Sequence, residues 1–350
     1  MAAIPDPRIF LEQSCHVSRV FNHSSSERHT RVESVGGNVN SKTTCTLFLF
    51  VAIWATSAAR AANINVNCNK KETIHKALKL VAAQNPGGPN TITVSGSCKD
   101  NLVIDGFDRL TLITKNGASI SDASDGTLAV VFVHDSQSFH LQGFTINGGA
   151  DGVDCVGASV CYLWSNTIQS SLGQQGVGVG GGSRAILVGN TIQNNTQRGL
   201  TVNGGGQVFS NSDTFSGNTS AAIVANSGTY FTADICSITN NGADGSAAVV
   251  VTDHTAARLI SCTISANKGD GVDVQRGSEV RFDAYDGPGT VTTNGGVGVA
   301  VSDLSFALFT GGTTITGNLA GTDVLCSPQF PATRGALTNI GGGITNCVEP

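Results

Sequence analysis

Charge and aromatic rings are both scarce in this chain. Only 13% of its 350 residues are Asp, Glu, Lys or Arg, and 6% are Phe, Trp or Tyr, with 2 Trp and 3 Tyr among them. Such a composition fills a long thin core of Val, Ile, Leu and Ala and leaves little material for a second domain. Positive charge is scarcest of all. From Ala62 onward 14 Lys and Arg face 21 Asp and Glu, a net −7 with His neutral, which argues against nucleic acid as a partner. The same balance opposes unaided capture of an anionic uronan, although a bridging cation such as Ca²⁺ would offset the repulsion. No Cys-x-x-Cys pair or Cys/His cluster occurs, so a thiolate metal centre is excluded on spacing. Long apolar runs are missing as well. Thr46 to Ala55 is too short to span a bilayer, so no stable membrane span is expected once it is removed.

That apolar run suits a signal-peptide core, with Lys42 before it and Ala59-Arg60-Ala61 as a small-x-small cleavage site. Residues 1–61 are therefore read as an N-terminal extension plus secretory signal, and the protein as secreted, periplasmic or at the cell surface. Residues 1–40 exceed a normal signal n-region, and Met1 is the only Met. A start at a non-ATG codon, written here as Val35 or Val39, would remove most of them. N-terminal sequencing of the precursor decides that point.

What the chain has in abundance is glycine, 44 residues, and a repeat. Asn195, Asn218, Asn241, Asn267, Asn294 and Asn318 each follow by three an apolar residue that is itself preceded by Ser or Thr. The anchors are Ile192, Phe215, Ile238, Ile264, Val291 and Ile315, and Ile168, Ile146 and Ile120 continue the series upstream. Steps of about 22 to 27 residues indicate a solenoid of stacked supersecondary turns. Short apolar alternations broken by Gly, Asn and Ser make the unit strand and turn, not helix. Strand parity points Ile192, Leu200, Val202 and Phe209 inward. The Asn column falls in a turn, where Asn tolerates left-handed backbone and each amide reaches the next, a structural ladder without catalytic meaning.

Asn-x-Ile, Gly-Val-x-Val and the Asn column together resemble the right-handed parallel β-helix repeat proteins of the pectin-lyase-like superfamily, from about Thr91 to Cys326. The resemblance implies an all-β fold, a single-stranded right-handed parallel β-helix (solenoid) of about nine or ten turns. The expected layout is an N-terminal cap with amphipathic helix at 62–90, β-helix at 91–325, and a C-terminal cap or tail at 326–350. Thr73 to Gln84 supplies the capping helix: Thr73 as N-cap, Ile74, Ala77, Leu78 and Val81 as apolar stripe, Asn85-Pro86-Gly87 as stop. Relatives of this fold include lyases, polygalacturonases, epimerases, tailspikes and adhesins, so the resemblance leaves function to the sites.

Eight cysteines lie beyond Ala61, an even number in a chain read as secreted, which indicates disulfides. Cys236 and Cys262 share a repeat position. Cys155 and Cys161 flank one turn, Cys68 and Cys98 bracket the N-terminal cap, and Cys326 and Cys347 the tail.

Candidate chemistry is sparse. The outward residues of the Gly-Val-x-Val strand read Phe132, Asp154, Gly178, Thr201, Val224, Val250, Asp273 and Ala300, and the two acids lie five turns apart. Ala150-Asp151-Gly152-Val153-Asp154 looks like the Asn-Thr-Asp-Gly motif of polygalacturonases, with Asp151 in the catalytic place. One turn on, however, the chain has Gln174-Gln175 where that family has an acid pair, and amides do not exchange the protons that glycoside hydrolysis needs. Asp151 and Asp154 are thus weak catalytic candidates and otherwise turn and strand-edge residues. Asp270, Asp273, Glu279, Asp283 and Asp286, with Arg276 and Arg281 nearby, form the best acidic cluster, which as a metal site would take Ca²⁺ and otherwise is a solvated turn. His134-Asp135 and Asp253-His254 fall at equivalent strand ends and read as turns.

Two further faces carry pattern. The anchor sheet presents uncharged, hydroxyl-rich pairs from Ser119/Ser121 through Thr145/Asn147, Thr167/Gln169 and Thr191/Gln193 to Thr314/Thr316, similar to the Thr ranks of β-solenoid ice-binding proteins and equally what a wet strand face favours. The remaining sheet presents His140/Gln142, Tyr162/Trp164, Ile186/Val188, Val208/Ser210, Tyr230/Thr232, Arg258/Ile260 and Arg281/Asp283. Tyr162 and Trp164, beside His140, make a stacking platform for a sugar ring or a protein partner, unless a loop covers them. The reading is a monomeric secreted β-helix that binds or processes an extracellular polysaccharide without a complete catalytic set. A structural, adhesin-like surface protein and an ice-binding protein are its rivals.

Overall fold

The computed structural model describes residues 61–326, 333–334 and 341–347. The signal peptide and extension expected at 1–61, Ala61 apart, and much of the 326–350 tail lie outside the described residues.

Alternation of apolar and polar side chains, broken every few residues by turn formers, yields short strands that all pair in parallel. The chain winds through three sheets in rotation. A first sheet of twelve strands opens with Ala62–Asn67 and Asn90–Ser95 and continues through Phe139–Gln142, Val160–Trp164, Arg184–Val188 and their successors. A second, of ten, runs from Ser97–Lys99 to Thr313–Thr316, and a third, also of ten, from Leu102–Asp105 to Val324–Cys326. Helix α1 (Ile74–Gln84) stands at the N-terminal end. Thr73 Oγ1 accepts the Lys76 amide at 3.3 Å, and Ile74, Ala77, Leu78 and Val81 are buried over the open end of the core.

The register expected for the third sheet is the register found: Phe132, Asp154, Gly178, Thr201, Val224, Val250, Asp273 and Ala300 align strand to strand. Ile146, Ile168, Ile192, Phe215, Ile238 and Ile264 stack in the core of the second sheet, with Thr or Ser before each and Asn147, Gln169, Gln193, Ser216, Thr239 and Ser265 after. The first sheet departs from expectation at three strands: Ile260 and Asp283, expected on the exposed face, are buried, and the strand Gln207–Asn211 is inverted. Val208 and Ser210 are buried, while Phe209 points outward in line with Ile186 and Thr232. The larger ring had been expected inside; register with the strands on both sides prevails, because a one-residue slip would invert every side chain of that strand.

Each corner carries its own hydrogen-bond ladder. Between the second and third sheets, Asn195, Asn218, Asn241, Asn267 and Asn294 each donate Nδ2 to the Oδ1 of the next Asn at 2.9–3.0 Å, and Asn318 donates to Asp323. All six asparagines are buried, so the ladder satisfies polar groups that would otherwise be orphaned. Between the first and second sheets, Asn166 and Asn190 do the same and end on Asp213, after which Cys236 and Cys262 take over the column as a disulfide. Between the third and first sheets, Ser136, Ser159 and Ser183, then Thr255, Ser278 and Ser305, accept the backbone amides of the preceding turn. Cys68–Cys98, Cys155–Cys161 and Cys326–Cys347 are also bonded, with Cα separations of 5.2, 6.5 and 5.1 Å.

Candidate functional site

The outer face of the first sheet gathers much of the aromatic surface of an aromatic-poor chain. Parallel register places His140 beside Tyr162, and Gln142 beside Trp164. The His140 and Tyr162 rings stack at 4.3 Å with planes 5° apart, and Trp164 stands edge-on to both, at 5.1 Å and 6.0 Å. Burial within this cluster lowers the His140 pKa, favouring a neutral ring. The Trp164 indole Nε1 is enclosed and has no hydrogen-bond partner.

The strip continues along the solenoid. Ile186 and Val188 follow, then Phe209, which carries the Arg184 guanidinium over its ring at 4.9 Å and meets Tyr230 at 5.9 Å. Farther on, Arg258 and Arg281 sit side by side and both bond to Asp283, while Arg258 also lies over Tyr285. From His140 to Arg281 the face spans six strand steps, roughly 29 Å at about 4.8 Å each.

On the third sheet, Asp151 and Asp154 come together. They share a hydrogen bond; burial and the neighbouring Asp151 charge push the Asp154 carboxyl up to about 7, against a hydrogen bond from Gln175. Asp151 Oδ1 accepts the Gln175 amide at 3.0 Å. The sequence, read by spacing alone, missed this contact; the signal was the three-residue step from turn to outward strand position. Two carboxyls that share a hydrogen bond are closer than the roughly 5 Å that a nucleophile and acid need across a glycosidic bond.

The four aspartates considered for Ca²⁺ do not converge. Asp270 and Asp273 lie on the third sheet, where burial and the charges of Asp270 and Asp303 raise the Asp273 pKa. Asp283 is on the first sheet with its side chain fully buried. Burial alone would raise its pKa, but hydrogen bonds from Thr310, Arg258 and Arg281 outweigh that and hold it low. Asp286 faces Asp234. A different group does converge: Asp105, His134 and Asp135, each offering one ligand atom within 4.8 Å of the others. His134 Nδ1 lies 3.0 Å from Asp105 Oδ1 and 3.6 Å from Asp135 Oδ2. The Asp105 hydrogen bond raises the His134 pKa and, with the Asp135 and Asp105 charges, outweighs the opposing effect of burial. His134-Asp135 was visible in the sequence as a turn; Asp105, one turn earlier in register, was not.

A cavity of about 340 Å³ lies apart from all these groups, lined by Asn65, Asn67, Lys70, Glu72, Thr93, Ser95 and Lys115 among others. Among the described residues no helix is long and apolar enough to cross a membrane.

With this geometry in hand, comparison with known proteins is informative about the fold. A family model for the right handed beta helix region matches residues 129–286. No curated protein sequence matches the chain. Among solved structures, the A-module of the Azotobacter vinelandii mannuronan C-5 epimerase AlgE4 is similar at 16% identity and a TM-score of 0.53, over 84% of this chain and 95% of that one. ORF18 of Geobacillus virus E2 is similar at 12% identity and a TM-score of 0.54, over 82% of this chain and 60% of that one. Pectate lyase Pel9A aligns over 75% of this chain and 81% of its own, at 11% identity and a TM-score of 0.49. At these identities the likeness is one of fold.

Proposed function

This chain is a right-handed parallel β-helix of pectin-lyase-like fold, and from that premise we propose that it is a polysaccharide-binding protein whose ligand lies along the outer face of the first sheet. The observation that carries this reading is the His140–Tyr162–Trp164 cluster. Sugar rings present apolar C–H faces that stack on aromatic planes. Ile186, Val188, Phe209 and Tyr230 extend the platform along the axis, which suits an extended chain better than a single small ring. Four disulfides support an oxidising compartment, and secretion follows from the signal-like segment before Ala61. The mannuronan C-5 epimerase module named above acts on a polysaccharide, which agrees with this ligand class without identifying the sugar.

Affinity electrophoresis on a panel of pectate, alginate and neutral glycans, with and without Ca²⁺, tests the proposal. Retardation on one glycan without released product is the expected result. Release of unsaturated or reducing-end products would make the chain an enzyme. Absence of retardation on every glycan, together with thermal hysteresis, would shift the function to the Thr/Ser face of the second sheet.

A further inference from the structure

The corner between the third and first sheets builds one arrangement twice, five turns apart, and balances its charge only once. His134 lies over Gly157 of the next turn and His254 over Gly277. A Cβ at Gly157 would fall 2.5 Å from the His134 Cδ2, and one at Gly277 would fall 3.3 Å from that of His254. Both glycines have positive φ, 66° and 68°, so a side chain is disfavoured there on two counts and each imidazole keeps its place. At the second corner the acid beside the histidine, Asp253, is paired with Arg276 at 3.3 Å. At the first corner no Lys or Arg is paired with Asp105 or Asp135 among the described residues, and both carboxylates face the single Nδ1 of His134 at 3.0 and 3.6 Å.

One ring N–H has one proton to give, so it serves one of these carboxylates and leaves the other without a donor. Even a charged imidazolium leaves the group one unit negative, whereas a divalent cation on a neutral imidazole brings it to zero. The spacing agrees with the charge. Ligand atoms about 2.1 Å from a common ion, at angles of about 90° to 120°, lie about 3.0 to 3.6 Å apart. The three side chains are 43% to 64% exposed, which admits an ion and leaves solvent positions on it. Phe132 stacks on His134 with planes 7° apart and so backs the ring from its own strand.

We propose that Asp105, His134 and Asp135 form a binding site for one divalent transition-metal ion of the zinc class. An imidazole nitrogen with two carboxylate oxygens is a borderline donor set that suits Zn²⁺ or Co²⁺, while Ca²⁺ prefers oxygen ligands throughout. The site is distinct from the aromatic platform and stands whether or not that platform binds sugar.

Equilibrium dialysis of the metal-stripped full-length protein against Zn²⁺, with Co²⁺ absorption as a second readout, tests it. The wild type and the control His254→Gln should each bind Zn²⁺ at this site. His134→Gln and Asp105→Asn should each weaken that binding by at least about tenfold and abolish the Zn²⁺-dependent rise in melting temperature. Asp105 and His254 are exposed and His134 is half-buried, and melting without metal checks that each variant folds. Failure of the wild type to bind Zn²⁺, or less than a tenfold loss in His134→Gln, would overturn the assignment. Binding equally lost in His254→Gln would also overturn it, because the ion would not then belong to this corner.

Discussion

The imidazole of His140 lies flat on the phenol ring of Tyr162, 4.3 Å away and 5° from parallel, so two adjacent strands of the first sheet present one continuous π-surface. Trp164 closes its edge. A ligand ring that stacks here gains contact with a platform already ordered, without fixing a mobile side chain. Trp164→Ala is expected to weaken binding of the best glycan about tenfold, near 1.4 kcal/mol. Asp154→Ala, on another sheet, should change it less than about threefold. Affinity electrophoresis of the two variants on one gel makes the comparison.

The Asn ladder should be a stability element without a binding role. Asn241 Oδ1 accepts both the backbone and side-chain amides of Asn218, and its Nδ2 donates to Asn267 and to the Phe215 carbonyl. Asn241→Ala strands buried donors in the turn before it, at about 1 to 3 kcal/mol each. Denaturant unfolding should show a loss of about 3 kcal/mol, with glycan affinity unchanged in the folded fraction.

This ladder was legible in the sequence because its six asparagines share one offset from their anchors. The other two corners were less so. Asn166 and Asn190 belong to the Asn-x-Ile motif, but their column ends after three members in Asp213 and then a disulfide, and a column that changes residue type hides from a search for repetition. The Ser/Thr corner mixes two hydroxyl types with Gly206 in between. Contacts that join turns of different lengths were also hidden. Asp105 meets His134 across 29 residues, and Asp283 meets Arg258 across 25. Parity within one strand says nothing about which residue of the next turn arrives beside it. Phe209 shows the opposite limit: its size argued for the core, and register with both neighbouring strands put it outside.

Asp213 makes the fold sensitive to pH in a direction opposite to that of most carboxylates. Burial raises its pKa to about 6, although hydrogen bonds from Ser210 and Asn190 oppose the shift. Between the ordinary value of 3.8 and about 6 the folded chain therefore binds more protons than the unfolded chain. Stability from this group is present below that window and is lost as pH rises through it, by about 3 kcal/mol at most. Asp213→Asn removes the titration. The stability difference, wild type minus variant, should be most favourable to the wild type near pH 4 and should fall between pH 4 and 6, as read from urea unfolding at matched ionic strength.

Cys68–Cys98 ties the short 3₁₀ turn Cys68–Lys70, between the first strand and α1, to the start of the second sheet across a separation of 30 residues. Closing a loop of that size should contribute about 3 kcal/mol. Replacing both cysteines by Ser is expected to lower the melting temperature and to raise amide exchange first in α1 and the first two strands, since the cap guards the open end of the core. Exchange that rises instead around Cys236 and Cys262 would contradict the role given to the cap.

The Asp151–Asp154 pair depends on a residue that has no side chain. Asp154 lies across Gly178 of the next turn, where a Cβ would fall 2.2 Å from Asp154 Oδ1 and 3.0 Å from Gln175 Nε2. Gly178→Ala must therefore push Asp154 away from Asp151 and Gln175 into solvent. Its pKa should then fall from about 7 towards the ordinary carboxylate value of 3.8, because all three causes of the rise, burial, the neighbouring charge and the hydrogen bond to Asp151, are relieved together. Carboxyl NMR titration of wild type and variant measures that fall directly. Because the pair is too close to flank a glycosidic bond, neither Gly178→Ala nor Asp151→Asn should alter glycan turnover, should any be found, or glycan affinity. Loss of turnover in Asp151→Asn with Trp164→Ala unaffected would move the working face from the first sheet to the third. It would also make the Asp151–Asp154 pair the one that the reaction uses.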